Sequence, residues 1–250
     1  MRPAVAAIAA GIALLALAAG HAGADTSVAV AVAADRLSNG TQDWRESGVE
    51  LQQRYGPRHS ASLALGETER FGLRDDRIGV AYAAPLDEAL VLSVEAGASS
   101  THRVLARHAL GASVQYEFAP AWLLHGGARS TRYDETRVNQ GLLMLEHYVG
   151  PFSWAAGWRP TRAFGTTAHN GELRASYYYG DAGSVGLILA AGREATSIGE
   201  TGTLASMRSV ALVGRHRLQR NWTLTYSAGH TRQGDFYTRN GLSLGIQYAF

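Results

Sequence analysis

Acids, amides and arginines recur at every second position in runs that are otherwise small or apolar: Glu50, Gln52 and Arg54; Gln115 and Glu117; Glu172 and Arg174. Glu95, His125, Arg129, Arg159, Arg215 and Gln247 hold equivalent places in other runs. Groups of both signs spaced by two could bind or guide a polar solute along a hydrated path. The same groups could instead pair with one another and fill that path, because buried charges must be paired.

The most tempting catalytic constellation is Ala168-His169-Asn170-Gly171. A lipid hydrolase built on outward strand positions needs a serine nucleophile beside its histidine and asparagine. No Ser stands between His169 and Asn170, so the expectation is an exposed histidine at a strand start and no enzyme. His102, His108, His147, His216 and His230 are scattered, without the short pairing that metal ligation uses. No metal or cofactor is expected. Asp75-Asp76 and Asp134-Glu135 read as loop charges, which could hold divalent cations bridging lipopolysaccharide phosphates. Arg70, Arg74 and Arg77, or Arg159 and Arg162, could reach such phosphates directly.

What must position these side chains is legible in the patterning. Leu242, Leu244, Ile246, Tyr248 and Phe250 share one parity, while Gly241, Ser243, Gly245, Gln247 and Ala249 take the other. Successive strand side chains point to opposite faces, so this is one greasy wall and one small or polar wall. The alternation predicts about fourteen strands near 26–35, 44–55, 59–70, 74–84, 89–99, 106–118, 122–133, 137–149, 152–162, 170–180, 183–194, 206–217, 222–232 and 240–250. Twelve or sixteen lie within the error of boundary placement. Most segments reach the roughly 9 to 11 residues that a tilted strand needs to cross a bilayer.

Residues 1–24 stand apart. Arg2, an apolar stretch over 4–19 and the small residues Ala22-Gly23-Ala24 read as a signal peptide cleaved after Ala24. The remainder, 250 − 24 = 226 residues, carries 22 arginines (23 − 1) against 21 acids, a net of +1 with no lysine. That balance lacks the basic footprint of a nucleic-acid binder. The absence of cysteine excludes disulfide frameworks and thiol chemistry.

A soluble sandwich would alternate too, but its second parity would carry charge throughout. Here that parity is mostly Gly, Ala, Ser and Thr, which suits the inside of a closed barrel whose greasy parity meets lipid. Short turns such as Gly150-Pro151 alternate with connections read as longer, among them 37–43, 160–170, 195–205 and 233–239. Placing every short turn in the periplasm requires an even strand count and puts both termini there. Trp44, Tyr55, Trp122, Tyr148, Phe152, Tyr177, Tyr179, Trp222 and Phe250 cluster near strand ends, as interfacial girdles do. The expectation is an all-β antiparallel outer-membrane barrel over 25–250, inward-lined by Glu50, Arg54, Glu95, Gln115, Glu117, His125, Arg129, Arg159, Glu172, Arg174 and Arg215.

Ser206-Met207-Arg208-Ser209-Val210-Ala211-Leu212, the Asn240-Gly241-Leu242-Ser243-Leu244 step and the strand ending at Phe250 resemble the C-terminal half of YaiO-type outer-membrane proteins. That resemblance implies insertion among outer-membrane lipids and lipopolysaccharide, with Phe250 read by the barrel-assembly machinery. Similar barrels serve at envelope polysaccharide export, some behind a periplasmic helical-repeat domain. This chain shows no such domain, so an export role here implies a separate periplasmic partner. The function expected is a conduit for a polar solute or polysaccharide, or else a non-conducting structural barrel.

Overall fold

The computed structural model describes residues 25–198 and 201–250; the expected signal peptide lies outside the described residues. The strands are β1 (Asp25–Leu37), β2 (Trp44–Gly56), β3 (His59–Arg70), β4 (Leu73–Pro85), β5 (Leu90–Ser99), β6 (His108–Ala119) and β7 (Trp122–Arg132). There follow β8 (Arg137–Val149), β9 (Phe152–Ala163), β10 (Thr166–Tyr179), β11 (Gly183–Ile198), β12 (Thr201–Arg217), β13 (Trp222–Gln233) and β14 (Tyr237–Ala249). Each pairs antiparallel with its sequence neighbours, and β14 closes on β1 through Ser27 opposite Ala249 to Leu37 opposite Arg239. Closure leaves no unpaired backbone edge, the condition for a sheet in hydrocarbon.

Closure also puts the start of β1 and the end of β14 on one rim, where the Phe250 amide donates to the Thr26 carbonyl at 2.9 Å. We call this the terminal rim and the opposite one the far rim. Register sorts every strand into two faces. Val28, Val30 and Val32 lie opposite Leu51, Val49 and Ser47 on one side and Tyr248, Ile246 and Leu244 on the other. This outward parity is exposed, with Leu110 at 65% and Leu242 at 67%. In water such a belt would be an aggregating surface. Each of these side chains placed in lipid instead of water stabilises by about 2 kcal/mol.

Aromatic rings crowd the outward parity near the terminal rim. Trp222 packs on Tyr248 at 4.8 Å between centroids, Tyr248 on Phe250 at 5.0 Å, and Phe152 on Tyr177 at 5.1 Å. Trp122 stacks on His147 at 3.8 Å. Gly214, opposite Tyr226 on this face, leaves room for the tyrosine ring, which a side chain at 214 would strike. Two residues expected in the girdle, Trp44 and Tyr148, fall on the inward parity instead: Trp44 pairs with Asp35, and Tyr148 with the buried Ser153.

Far-rim connections are shorter than the sequence suggested. The expected loop over 160–170 reduces to Phe164-Gly165, and β3 turns into β4 at Phe71-Gly72. All four residues have positive φ, from 51° to 77°, the hairpin geometry that matches strand twist. Polar and glycine-rich composition concealed strand there because edge-of-membrane strands need no apolar face. β11 and β12 likewise run to Ile198 and Thr201 in place of a loop from 195. Ser100 to Arg107 is the longest connection among the described residues.

Candidate polar lumen

Register places the eleven residues expected on the inner wall, and Gln52 and Gln247 with them, on the parity opposite the apolar belt. They are not scattered evenly. Glu95 of β5 and Arg129 of β7 both lie opposite Gly111 of β6, and they form an ion pair across it. Glycine leaves that point open, since a Cβ at 111 would displace the Glu95 carboxylate from its place.

Glu172 of β10 takes two guanidiniums, Arg174 through Nε and Arg159 of β9 through Nε at 3.4 Å. His125 Nε2 meets Glu146 Oε2 at 3.1 Å, and Glu146 is an inward acid that sequence reading passed over. Arg215 donates to Gln247 Oε1 at 3.4 Å, and Gln247 donates to Ser27 Oγ at 2.7 Å, tying β12, β14 and β1 together. Glu117 serves the terminal rim, accepting from the Ala121 amide at 3.3 Å. Glu50, Arg54 and Gln115 enter no side-chain hydrogen bond or ion pair among the described residues.

A cavity of about 400 Å³ runs between walls as distant in sequence as β2 and β9, lined by Gln52, Ser60, Ser62, Glu95, Arg129 and Arg159. Its charged, amide and serine side chains come from the inward parity. Across from it, the inner faces of β11 to β14 and β1 include the small residues Gly186, Ala190, Ser209, Ala211, Ser227, Gly245, Ala29 and Ala31 beside Arg215 and Gln247.

Two features at the far rim escaped the sequence. Asp75 and Asp76 are strand residues, not loop residues, and Asp75 points inward with a side chain 0% exposed. Its carboxylate accepts from Thr101 Oγ1 at 2.6 Å and from the amides of Val104 and Leu105 at 2.6 and 2.8 Å, with Arg103 Nε at 3.4 Å. The Ser100–Arg107 connection is thereby held on the inner side of the mouth. His102 joins it to Asp134 at 2.9 Å. No local pattern marks this, because the partners lie 26 to 30 residues apart.

The second feature surrounds Trp44, whose ring lies between Arg70 and Arg239 at 4.7 and 5.1 Å. Arg70 pairs with Glu46 at 2.5 Å and Arg239 with Asp35 at 3.9 Å. Arg70 and Arg77 thus face inward, like Arg159, so none of them can meet lipid phosphates from a loop as the sequence suggested.

The hydrolase constellation does not assemble. His169 pairs opposite Pro160 on the outward parity and stacks on Trp158 at 5.7 Å, while Asn170 lies opposite Arg159 on the inward one. Among the described residues no three His, Asp or Glu side chains gather as a metal site.

A closed fourteen-strand antiparallel barrel with an apolar belt, aromatic girdle and polar interior defines a porin-like outer-membrane protein. Solved structures agree on the fold. The CymD monoaromatic hydrocarbon channel superposes with a TM-score of 0.59 at 10% identity, covering 91% of this chain and 88% of its own. OmpF of Salmonella typhi, solved with daunomycin, gives 0.52 at 10% identity, covering 91% and 97%. The KdgM porin gives 0.51 at 13% identity, covering 89% and 99%. No curated protein matches the sequence.

The chain belongs to the YaiO family: the YaiO membrane β-barrel domain matches residues 25–196. That span ends before Ser206–Leu212 and Asn240–Phe250, the segments that first suggested the family. Residues beyond it supply β12 to β14 and close the barrel.

Proposed function

We propose that this barrel is a passive conduit for a small polar solute, set in the outer membrane with its terminal rim in the periplasm. The observation that carries the reading is the cavity between β2 and β9, where Glu95, Arg129 and Arg159 face a common space with Gln52, Ser60 and Ser62. Such a mixed lining exchanges hydration for hydrogen bonds with hydroxyl-rich solutes and opposes apolar ones. A short glycan fits that chemistry, and a polysaccharide would need a separate periplasmic partner to deliver it. Phe250, exposed at the terminal rim, is the residue we assign to recognition by the assembly machinery. No reaction is assigned, since His169 and Asn170 lie on opposite faces.

A second reading, a silent structural barrel, draws support from the ion pairs of Glu95 with Arg129 and of Glu172 with Arg159 and Arg174, which neutralise much of the wall. Planar-bilayer recording of the folded protein separates the two. Discrete openings whose ion selectivity moves toward cations in Arg129→Gln/Arg159→Gln support the conduit. A folded barrel with no openings, and no solute release from liposomes, overturns it in favour of the silent one.

A further inference from the structure

The far rim carries an outward-facing basic surface that neither the lumen nor the fold requires. Arg132 of β7 and Arg137 of β8 lie directly opposite each other, and both point away from the barrel axis. Arg162 of β9 lies opposite Asn139, the outward residue next to Arg137 on the same face, so three guanidiniums occupy three adjacent strands. Neighbouring strands are about 4.8 Å apart, and like charges placed directly opposite destabilise a sheet.

Among the described residues no carboxylate forms an ion pair with these three arginines. Arg132 donates to a backbone oxygen, that of Asp134, and Arg137 and Arg162 form no ion pair among the described residues. A second like-charge pair, Arg208 opposite Arg232, repeats the arrangement on β12 and β13, with Asp235 beside Arg232. By contrast Arg74, outward on β4, is consumed by Glu67 and Glu69 at 3.3 and 3.0 Å.

Height along the wall narrows the ligand. Arg162 stands four residues beyond Trp158, roughly 13 Å along the strand, and Trp158 with His169 stacked on it ends the apolar belt. The patch therefore sits just above hydrocarbon depth, where lipid headgroups lie. At the terminal rim the corresponding outward positions carry aromatic rings instead. On this wall the far-rim leaflet is thus met by clustered guanidiniums above the Trp158–His169 stack, and the guanidinium is the group that grips phosphate oxygens with paired hydrogen bonds.

We propose that Arg132, Arg137 and Arg162 form a binding site for the phosphates of lipopolysaccharide in the outer leaflet. The occupant is committed by charge and position together: a polyanionic headgroup whose acyl chains lie along Leu124, Leu143 and Leu145 beneath it. The inference stands apart from conduction, which the inner wall decides.

The test uses the folded barrel in detergent, titrated with purified lipopolysaccharide and with the same material enzymatically dephosphorylated. Wild type should bind the phosphorylated form more than tenfold more tightly, with the advantage shrinking at high salt. Arg132→Gln/Arg137→Gln/Arg162→Gln should lose that advantage, and the triple Lys variant should keep most of it. Heat-modifiable gel mobility reports folding of each variant. Equal binding of both lipids by wild type overturns the proposal without any variant, as does a folded triple Gln variant that still discriminates tenfold.

Discussion

The two halves of the inner wall solve the same problem differently. From β2 to β10 the inward parity carries most of the acids and arginines, several of them paired, whereas from β11 round to β1 it is mostly small, with Arg215, Arg217, Arg239 and Asp35 among its charges. Both halves face the same lumen and both are closed by the same ladder of backbone hydrogen bonds, so chemistry rather than architecture distinguishes them. Charge is concentrated on the side where neighbouring strands supply most of the counter-charges, because an ion left unpaired inside is costly.

The strongest way to break the comparison is at the mouth of the charged half. Asp75→Ala leaves the amides of Val104 and Leu105 without their acceptor, a local loss of about 3 kcal/mol. Limited trypsinolysis should then cut after Arg103 or Arg107 on the order of 100-fold faster, and an unchanged rate would show that the loop is held by something else. Glu172→Gln strands two guanidiniums; with those side chains 38% exposed, solvent limits the cost to about 2 kcal/mol. Urea unfolding of the folded barrel in detergent measures it.

Gly111→Ala and Gly229→Ala set the halves against each other directly. At 111 the added methyl displaces the Glu95 carboxylate and should cost about 1 to 2 kcal/mol. At 229 the methyl meets Ala211 Cβ and the Val210 carbonyl at 3.6 Å, ordinary contact, so stability should move by less than about 0.5 kcal/mol. Equal costs in the same urea titration would abolish the distinction drawn between the halves. Arg129→Gln sharpens it at the small end: the pair is 43% and 50% exposed, and its loss should cost under ~1 kcal/mol while still shifting ion selectivity.

Much of this was legible along the chain. Parity placed Glu50, Glu95, Arg129 and Glu172 on one face because strand side chains alternate with a period of two, a rule that holds without knowledge of neighbours. Strand ends were less legible. His169 and Thr166 read as loop because polar and small residues look alike whether they end a strand at the headgroups or leave it. Trp44 was assigned outward from its type, yet the count from Glu46 and Glu50 already put it inward, and position was the better guide.

Pairing across the barrel was not legible at all. That Gly111 serves as the gap through which Glu95 reaches Arg129, that Asp75 anchors Val104 and Leu105, and that Arg132, Arg137 and Arg162 share an outward patch all depend on register between strands. Alternation along one strand determined which residues face lipid and which face the lumen, and that much the sequence settled alone. Which inward groups meet, and which outward charges cluster, was decided only by the stagger of the closed sheet, since hydrogen-bonded register brings side chains together over separations that no local spacing encodes.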